Sequence, residues 1–302
     1  MSVEVRNERF REVVGSGDEL EQLGTGFEFT EGATWDPRDS CLIFSDMPGN
    51  LMRKWSADGG VEAFRQPSNM ANGNFFDREG RLITCEHATS RVVRMELDGS
   101  MTTLASHYGD KELNSPNDVI VRSDGSIFFT DPIYGRAEYY GLPRQQQLGV
   151  QGVYRIDADG CGPHLLVSDF DQPNGLSLAV DESKMYINDT PKGHIREFDV
   201  APDGSLAGGG VWVEVTGEGD GATDGLTIDR EGNLYTTGPR GIHVFGPDAI
   251  CLGVIHVPEV AANFTWGGDD LRTLFVTASS SLYRTRVKVP GRQTFHFPGA
   301  FL

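Results

Sequence analysis

The sequence predicts an all-β protein that folds as a six-bladed β-propeller with four antiparallel strands in each blade. Three observations support this fold: a polar-strand-turn-strand pattern that recurs six times, Asp-Gly hairpin turns that follow it, and 38 glycines among 302 residues. Glycine suits the tight turns that all-β folds need in quantity. No long segment with a 3.6-residue apolar period lies between the predicted strands, which disfavours a barrel with helical crossovers.

Each repeat starts with a polar residue, followed by a short apolar strand, a turn containing Asp or Gly, and a second apolar strand. The stretch SPNDVIVRSDGSIFFTD, which begins at Ser115, shows the whole pattern. Taking the opening residues as equivalent gives steps of 43, 43, 57, 50 and 40 residues between Glu31, Asn74, Asn117, Asn174, Asp224 and Phe264. Periods of about 40 to 50 residues with four strands each are typical of propeller blades.

The second half of each blade is a further strand pair, often joined by an Asp-Gly turn such as Asp58-Gly59 or Asp98-Gly99. The sixth repeat shows only three strands before the chain ends. We therefore expect a strand around Leu20–Leu23 to complete it and close the ring. One domain over residues 1–302 follows, with an N-terminal extension over about 1–19 and a C-terminal tail over about 290–302.

Charge and composition narrow the choice of partners and compartment. The net charge of −18 makes nucleic acid and anionic membranes unfavourable partners. No run of 18 apolar residues and no apolar leader are present, so a cytoplasmic protein, monomeric or homodimeric, is expected. The four cysteines lack metal-site or redox spacing, which predicts buried or half-buried thiols in a reducing compartment.

Polar residues far apart in the sequence should meet at one mouth of the propeller. The innermost strand of a blade starts at the face where the next, antiparallel strand ends. Residues that start first strands should converge on the axis, whereas Asp46, Glu86, Asp131 and Asp189, which end second strands, should surround them. A preference of Asn and Asp for turns explains any single position equally well. Four equivalent positions favour a site.

Four of the axial residues provide hard oxygen donors and no sulfur or imidazole: Glu31, Asn117, Asn174 and Asp224. Two carboxylates match the charge of a divalent cation, and the amide oxygens add neutral ligands. This donor set favours Ca²⁺ or Mg²⁺ over a dedicated zinc site. The sequence therefore predicts a cation that polarises a carbonyl and lowers the pKa of water.

Further residues at the mouth are candidates for substrate binding: Asn72, Asn74, His87, Asp131 and Tyr134. The two asparagines flank Gly73 and offer donors to sugar hydroxyls, although an Asx turn is an equal explanation. His87 could hydrogen-bond substrate, or it could have only a structural role. Asp131 and Tyr134 open a long insertion, IYGRAEYYGLPRQQQLGVQG, which suits a lid over a polar substrate or a cover for apolar side chains.

The motifs EGATW, SPNDVIV…FFTDPIYG, QPNGLSL and TDGLTID…NLYTTG resemble the SMP-30/gluconolactonase (regucalcin-like) family of six-bladed propellers over roughly residues 30–289. The resemblance implies one divalent cation in the central channel, most commonly calcium or zinc, and hydrolysis of sugar lactones. It assigns the cation to Glu31, Asn117, Asn174 and Asp224, and the general base to Asp224. Some animal members have an arginine at the position of Ser115, so recognition of the sugar should differ here.

The mechanism predicted is metal polarisation of a lactone carbonyl followed by attack of water, with no serine nucleophile because no G-x-S-x-G elbow is present. Calcium is the expected cation, and zinc, magnesium and manganese remain possible. A phosphotriester hydrolase could use the same platform if its pocket were more apolar. A propeller that only binds partner proteins would instead show a large exposed aromatic patch.

Overall fold

The computed structural model describes residues 3–15, 17 and 19–292, and it confirms the six-bladed propeller. Four-stranded antiparallel sheets form the first three blades: β3 (Thr30–Asp36), β4 (Cys41–Asp46), β5 (Leu51–Ser56) and β6 (Gly60–Arg65); β7 (Ala71–Phe76), β8 (Leu82–Glu86), β9 (Arg91–Met95) and β10 (Met101–Ala105); β13 (Val119–Val121), β14 (Ile127–Asp131), β15 (Gly152–Ile156) and β16 (His164–Val167). A small ribbon, β11 (His107–Tyr108) and β12 (Lys111–Glu112), links the second blade to the third.

The remaining blades continue around the ring in chain order. Their strands are β17 (Pro173–Leu178), β18 (Lys184–Asp189), β19 (His194–Val200) and β20 (Leu206–Glu214); β21 (Leu226–Ile228), β22 (Leu234–Gly238), β23 (Gly241–Phe245) and β24 (Cys251–His256); β25 (Ala261–Gly267), β26 (Thr273–Ala278) and β27 (Ser281–Arg286). Short 3-10 turns follow the second strands of the third and fourth blades at Tyr134–Arg136 and Thr190–Lys192. No helix among the described residues is long and apolar enough to cross a membrane.

An N-terminal strand closes the ring, as the sequence predicts. Strand β2 (Glu21–Thr25) pairs antiparallel with β27, so it begins one residue later than expected and supplies the fourth strand of the sixth blade. The preceding residues add a feature that the sequence did not predict. Strand β1 (Val3–Val5) pairs with β24 as a fifth strand of the fifth blade, and α1 (Arg9–Val13) buries Phe10 against that blade.

The core lies between the blades. Six buried apolar clusters correspond to the six blade–blade interfaces, and each combines side chains from two neighbouring sheets. One example joins Ile43 and Met52 of the first blade to Ala71 and Leu82 of the second. Because every blade packs apolar surface on both faces, its inner strands are apolar on both sides, and the polar residues that remain buried need a specific explanation.

The first strands surround an axial cavity of about 210 Å³. Asp118 lines it near the mouth. At the opposite face, Arg292 donates to Leu178 O at 3.2 Å and to Glu182 Oε1 at 2.9 Å. Of the expected C-terminal tail, Gly291 bridges to Asp229, and residues 293–302 lie outside the described residues.

The insertion in the third blade lies between β14 and β15, where the sequence placed it. All four cysteines are free thiols. Cys41 and Cys85 are buried and Cys251 is half-buried, but Cys161 is exposed, against the prediction, because it sits in the turn between β15 and β16.

Candidate functional site

One position in each blade points to the propeller axis at the mouth. Strand register places it directly after the residue that pairs with the end of the second strand, as in Thr30↔Asp46, Ala71↔Glu86 and Pro173↔Asp189. The six residues, called here the axial ring, are Glu31, Asn72, Asn117, Asn174, Asp224 and Ala262.

The axial ring corrects the sequence alignment in two blades. Asn72 and Ala262 occupy the places that the repeat assigned to Asn74 and Phe264, two residues further on. The same β-bulge follows the axial residue in the first, second, fourth and sixth blades, so the bulge does not set these two blades apart. The motif NGN offers an asparagine on each side of Gly73, and only the pairing of Ala71 with Glu86 identifies Asn72 as the axial one.

Glycines next to the axial ring let the blades approach closely. A Cβ atom on Gly32 would overlap Asn72 O, and one on Gly175 would overlap Asp224 O. At the corresponding place in the second blade, Gly73 N donates to Asn117 O at 2.8 Å. These contacts join each axial residue to the blade before it, which explains the recurrent glycine in EGATW, NGNFF and PNGLSL.

Two carboxylates of the axial ring, those of Glu31 and Asp224, face each other. Glu31 is 3% exposed, and burial together with the negative charge of Asp224 raises its pKa well above the usual value. Burial also raises the pKa of Asp224 to about 7, while the side chains of Glu31 and Asn174 lower it in part. Desolvation and like charge both oppose ionisation, so this pair holds a proton in the absence of a positive charge.

A third carboxylate, which the sequence did not select, lies beneath the pair. Asp118 accepts hydrogen bonds from Val119 N at 3.0 Å and from Leu176 N at 3.4 Å. Burial raises its pKa to about 7, and the negative charge of Asp224 adds to the shift. The other blades have glycine or asparagine at this position, so an aspartate in SPNDVIV was the available signal.

The donor set fits a divalent cation. No lysine or arginine among the described residues is close enough to shift the pKa of Asp118 or Asp224. Buried carboxylates without a counter-charge are costly, and a bound cation removes that cost. No three His, Cys, Asp or Glu side chains of the described chain are grouped as a metal site. Any cation at this mouth therefore depends on the amide oxygens as well.

The amides of the axial ring differ in their partners. Asn174 Nδ2 donates to Thr190 Oγ1 at 3.1 Å, and Asn72 Nδ2 lies 3.1 Å from His87 Nε2. The side chain of Asn117, 5% exposed, makes no hydrogen bond with the described residues. Two amides are thus held from one side, and one is free to meet a ligand.

His87 lies behind Asn72 and is fully buried. Its Nδ1 is 2.8 Å from Tyr140 O in the insertion, and a carbonyl can only accept, so Nδ1 carries the proton. Burial lowers the pKa of His87 to about 4, which keeps the ring neutral and leaves Nε2 as an acceptor for Asn72. Both ring nitrogens of His87, which the sequence predicted to bind substrate, are therefore hydrogen-bonded within the protein.

Asn74 and Asp131 are likewise engaged within the protein. Asn74 Nδ2 donates to Gly32 O and Ser45 Oγ, each at 2.9 Å, and its Oδ1 accepts from Thr84 at 2.7 Å. Asp131 accepts from the backbone N–H groups of Asn114 and Ser115, each at 2.8 Å. Their predicted contact with substrate stays a prediction, and the structure adds a role in holding the blades.

The insertion covers part of the mouth. Tyr140 packs edge-to-face on Phe29 of the first blade with ring centroids 5.6 Å apart, and Tyr139 Oη donates to Glu28 O at 3.2 Å. Arg144 also donates to His87 O at 2.9 Å. The segment thus reaches from the third blade across the second to the first.

Tyr134 and Ser115 fix the start of the insertion. Ser115 Oγ donates to Pro132 O at 2.6 Å and accepts from Gly135 N at 3.0 Å. A long side chain has no room at Ser115, which is fully buried. The buried hydroxyl of Tyr134 lies near Thr190 but makes no hydrogen bond with the described residues, and burial raises the pKa of this tyrosine.

Comparisons with known proteins identify the family of this chain. The family model described as the SMP-30/gluconolactonase/LRE-like region matches residues 29–280. The gluconolactonase of Zymomonas mobilis is 29% identical over 294 residues, which is 90% of this chain and 82% of that protein. The L-arabinolactonase of Azospirillum brasilense is 27% identical over 252 residues, which is 82% of this chain and 80% of that protein. The structure of a gluconolactonase from Xanthomonas campestris superposes with a TM-score of 0.88 at 32% identity, covering 95% of both chains.

Proposed function

Because the chain belongs to the SMP-30/gluconolactonase/LRE-like family, we propose that it hydrolyses a sugar lactone with a divalent cation bound at the axial ring. The observation that carries the proposal is the pair of Glu31, which is buried, and Asp224, which is half-buried. No lysine or arginine of the described residues offsets the charge of Asp224, and amide groups lie at the same mouth. The similar gluconolactonase and L-arabinolactonase support an ester substrate of this class.

The cation would be held by Glu31, Asn117, Asn174 and Asp224, with calcium as the expected ion. When bound, a divalent cation polarises a carbonyl and lowers the pKa of water. We assign to the carboxylate of Asp224 the role of accepting the proton of the attacking water, as the family resemblance implies for the aspartate that opens the fifth blade. Asp118 would hold its backbone contacts beneath the pair and keep their loops in place.

Asn72 is the axial residue best placed to bind the sugar. Its amide nitrogen faces His87, so its oxygen is the end left for a substrate hydroxyl. Tyr134 and Tyr140 of the insertion would form a wall of the pocket. For His87, Asn74 and Asp131 we propose positioning roles in place of direct contact, since their polar atoms are engaged by the protein.

The test is a panel of lactones and phosphotriesters assayed with metal-replete and metal-stripped protein. Hydrolysis of D-glucono-1,5-lactone or L-arabinono-1,4-lactone is expected, with loss on chelation and recovery with calcium, zinc, magnesium or manganese. Hydrolysis of phosphotriesters alone would replace the proposal with the phosphotriester alternative. Absence of turnover on every lactone by protein with bound metal would overturn it.

A further inference from the structure

Thr190 contacts three parts of the candidate site through one hydroxyl. Its Oγ1 lies 3.1 Å from Asn174 Nδ2 and 2.6 Å from the carbonyl oxygen of Thr223, the residue before Asp224. The buried hydroxyl of Tyr134 approaches from the insertion. The backbone of Thr190 is fixed as well, because its N–H donates to Gln172 O at 3.2 Å.

The direction of these hydrogen bonds follows from their chemistry. A carbonyl oxygen can only accept, so the hydroxyl proton of Thr190 is committed to Thr223 O. The oxygen can then act only as an acceptor toward Asn174, which must present its NH₂ group. The amide of Asn174 is therefore held by its NH₂ group, which faces Thr190 and also lowers the pKa of Asp224, and its Oδ1 accepts no hydrogen bond from the described residues.

We propose that Thr190 is a positioning residue for the cation site, which engages the NH₂ end of the Asn174 amide, leaves its oxygen as the end available to a cation, and ties this amide to the loop of Asp224. The inference deepens the proposed function and depends on it. A free amide can rotate by 180° and present nitrogen, which repels a cation. Thr190 removes that freedom at one axial residue and fixes its distance to the next.

A matched bond in the sixth blade separates this role from ordinary packing. Thr277 Oγ1 donates to Asn263 O at 2.9 Å and so joins the second strand of that blade to its first strand near the mouth. The axial residue of that blade is Ala262, which has no amide to orient. Thr277→Val therefore loses a similar buried hydrogen bond without touching the proposed ligands.

The experiment is calcium titration by calorimetry on chelator-stripped, full-length protein, with melting temperatures measured on the same samples. Thr190→Val keeps the shape but loses the acceptor, and we expect calcium affinity to fall by about 10- to 100-fold. Thr190→Ser keeps the hydroxyl and should bind within about 3-fold of wild type. Thr277→Val should bind like wild type, even if its melting temperature is lower.

The outcomes are distinct from those of the proposed function. Wild-type affinity in folded Thr190→Val would overturn the positioning role while leaving the cation site intact. Equal weakening in Thr277→Val would also overturn it, since any lost hydroxyl would then suffice. If Thr190→Val does not fold, Thr190→Ala is measured on the same criterion. A wild-type protein that binds no calcium, zinc, magnesium or manganese would overturn the cation site and this role together.

Discussion

Carboxylates occur both in the axial ring and among the acids that surround it, and both sets recur from blade to blade. They differ in the groups that their oxygens contact. Asp46, Asp131 and Asp189, called here the clamp acids, each approach two backbone N–H groups of the loop that leads into their own blade. Of the axial carboxylates, Glu31 accepts from a single backbone N–H, that of Gly32 at 3.1 Å, and it otherwise faces Asp224. An acid whose lone pairs are consumed by the backbone is structural, whereas one left with unmet charge is available to a ligand.

The clamp acids act at a constant offset. Asp131 accepts from Asn114 and Ser115, which lie three and two residues before Asn117, and Asp189 accepts from Asp171 and Gln172, which lie three and two before Asn174. The clamp thus sets the path of the chain just before the axial residue. The functional residue and the acid that holds its loop are therefore two parts of one repeated device.

The largest expected effect is on the axial side, at Asp224. In Asp224→Asn the charge and basicity are lost, and we expect kcat to stay about 10²- to 10⁴-fold below wild type at saturating calcium, because a general base is missing. Steady-state kinetics across a calcium series measure this. Glu31→Gln is the control, since excess calcium should restore its kcat. Full rescue of Asp224→Asn would leave Asp224 as a ligand alone.

The opposite pattern is expected for a clamp acid. Asp131→Asn places an NH₂ group against one of two backbone donors, and we expect it to lower the free energy of unfolding by about 1–3 kcal/mol. Its calcium affinity should stay within about 3-fold of wild type. Urea denaturation and calorimetry on the same protein check both. A large loss of calcium affinity with unchanged stability would contradict the distinction between the clamp acids and the axial ring.

A pH dependence should follow from the raised pKa values of the axial acids. Asp224 retains its proton in the cation-free fold up to about pH 7, whereas the unfolded chain loses it near 3.8, so the folded state binds more protons between these values. Stability of stripped protein should fall as pH rises across this window, by up to about 1.4 kcal/mol per pH unit for one group. Melting curves from pH 4 to 8 should show this fall, and saturating calcium or Asp224→Asn should reduce it. A flat curve for stripped wild type would contradict the raised pKa.

The smallest effect is expected where the insertion meets the axial ring. His87→Phe removes the acceptor that orients Asn72, and the loss of about one hydrogen bond should raise KM about 3- to 10-fold. Calcium affinity and kcat should change little, because Asn72 is not among the proposed cation ligands. Initial-rate kinetics with the best lactone of the panel measure KM and kcat separately. A fall in kcat with unchanged KM would place His87 in the chemistry.

The sequence predicted the blades, their number and the closing strand because these depend on periodicity and turn chemistry, which are local. It predicted Glu31 and Asp224 for the same reason, since both start strands of the repeat. It missed Thr190 and Asp118, and it aligned Asn74 where Asn72 belongs. Those depend on the exact strand register and on which side chains meet across blades, and neither can be read from the period of the repeat.

The closing strand also has a consequence for synthesis. Thr25 of β2 pairs with Ser281, so more than 250 residues must be made before the partner of an early strand exists. At about 5–20 residues per second, that is roughly 13 to 50 s of translation. During this time β2 has no partner strand. It contains only five residues, with Glu21 and Gln22 exposed even in the finished sheet, and a short polar edge is a poor template for association with another chain.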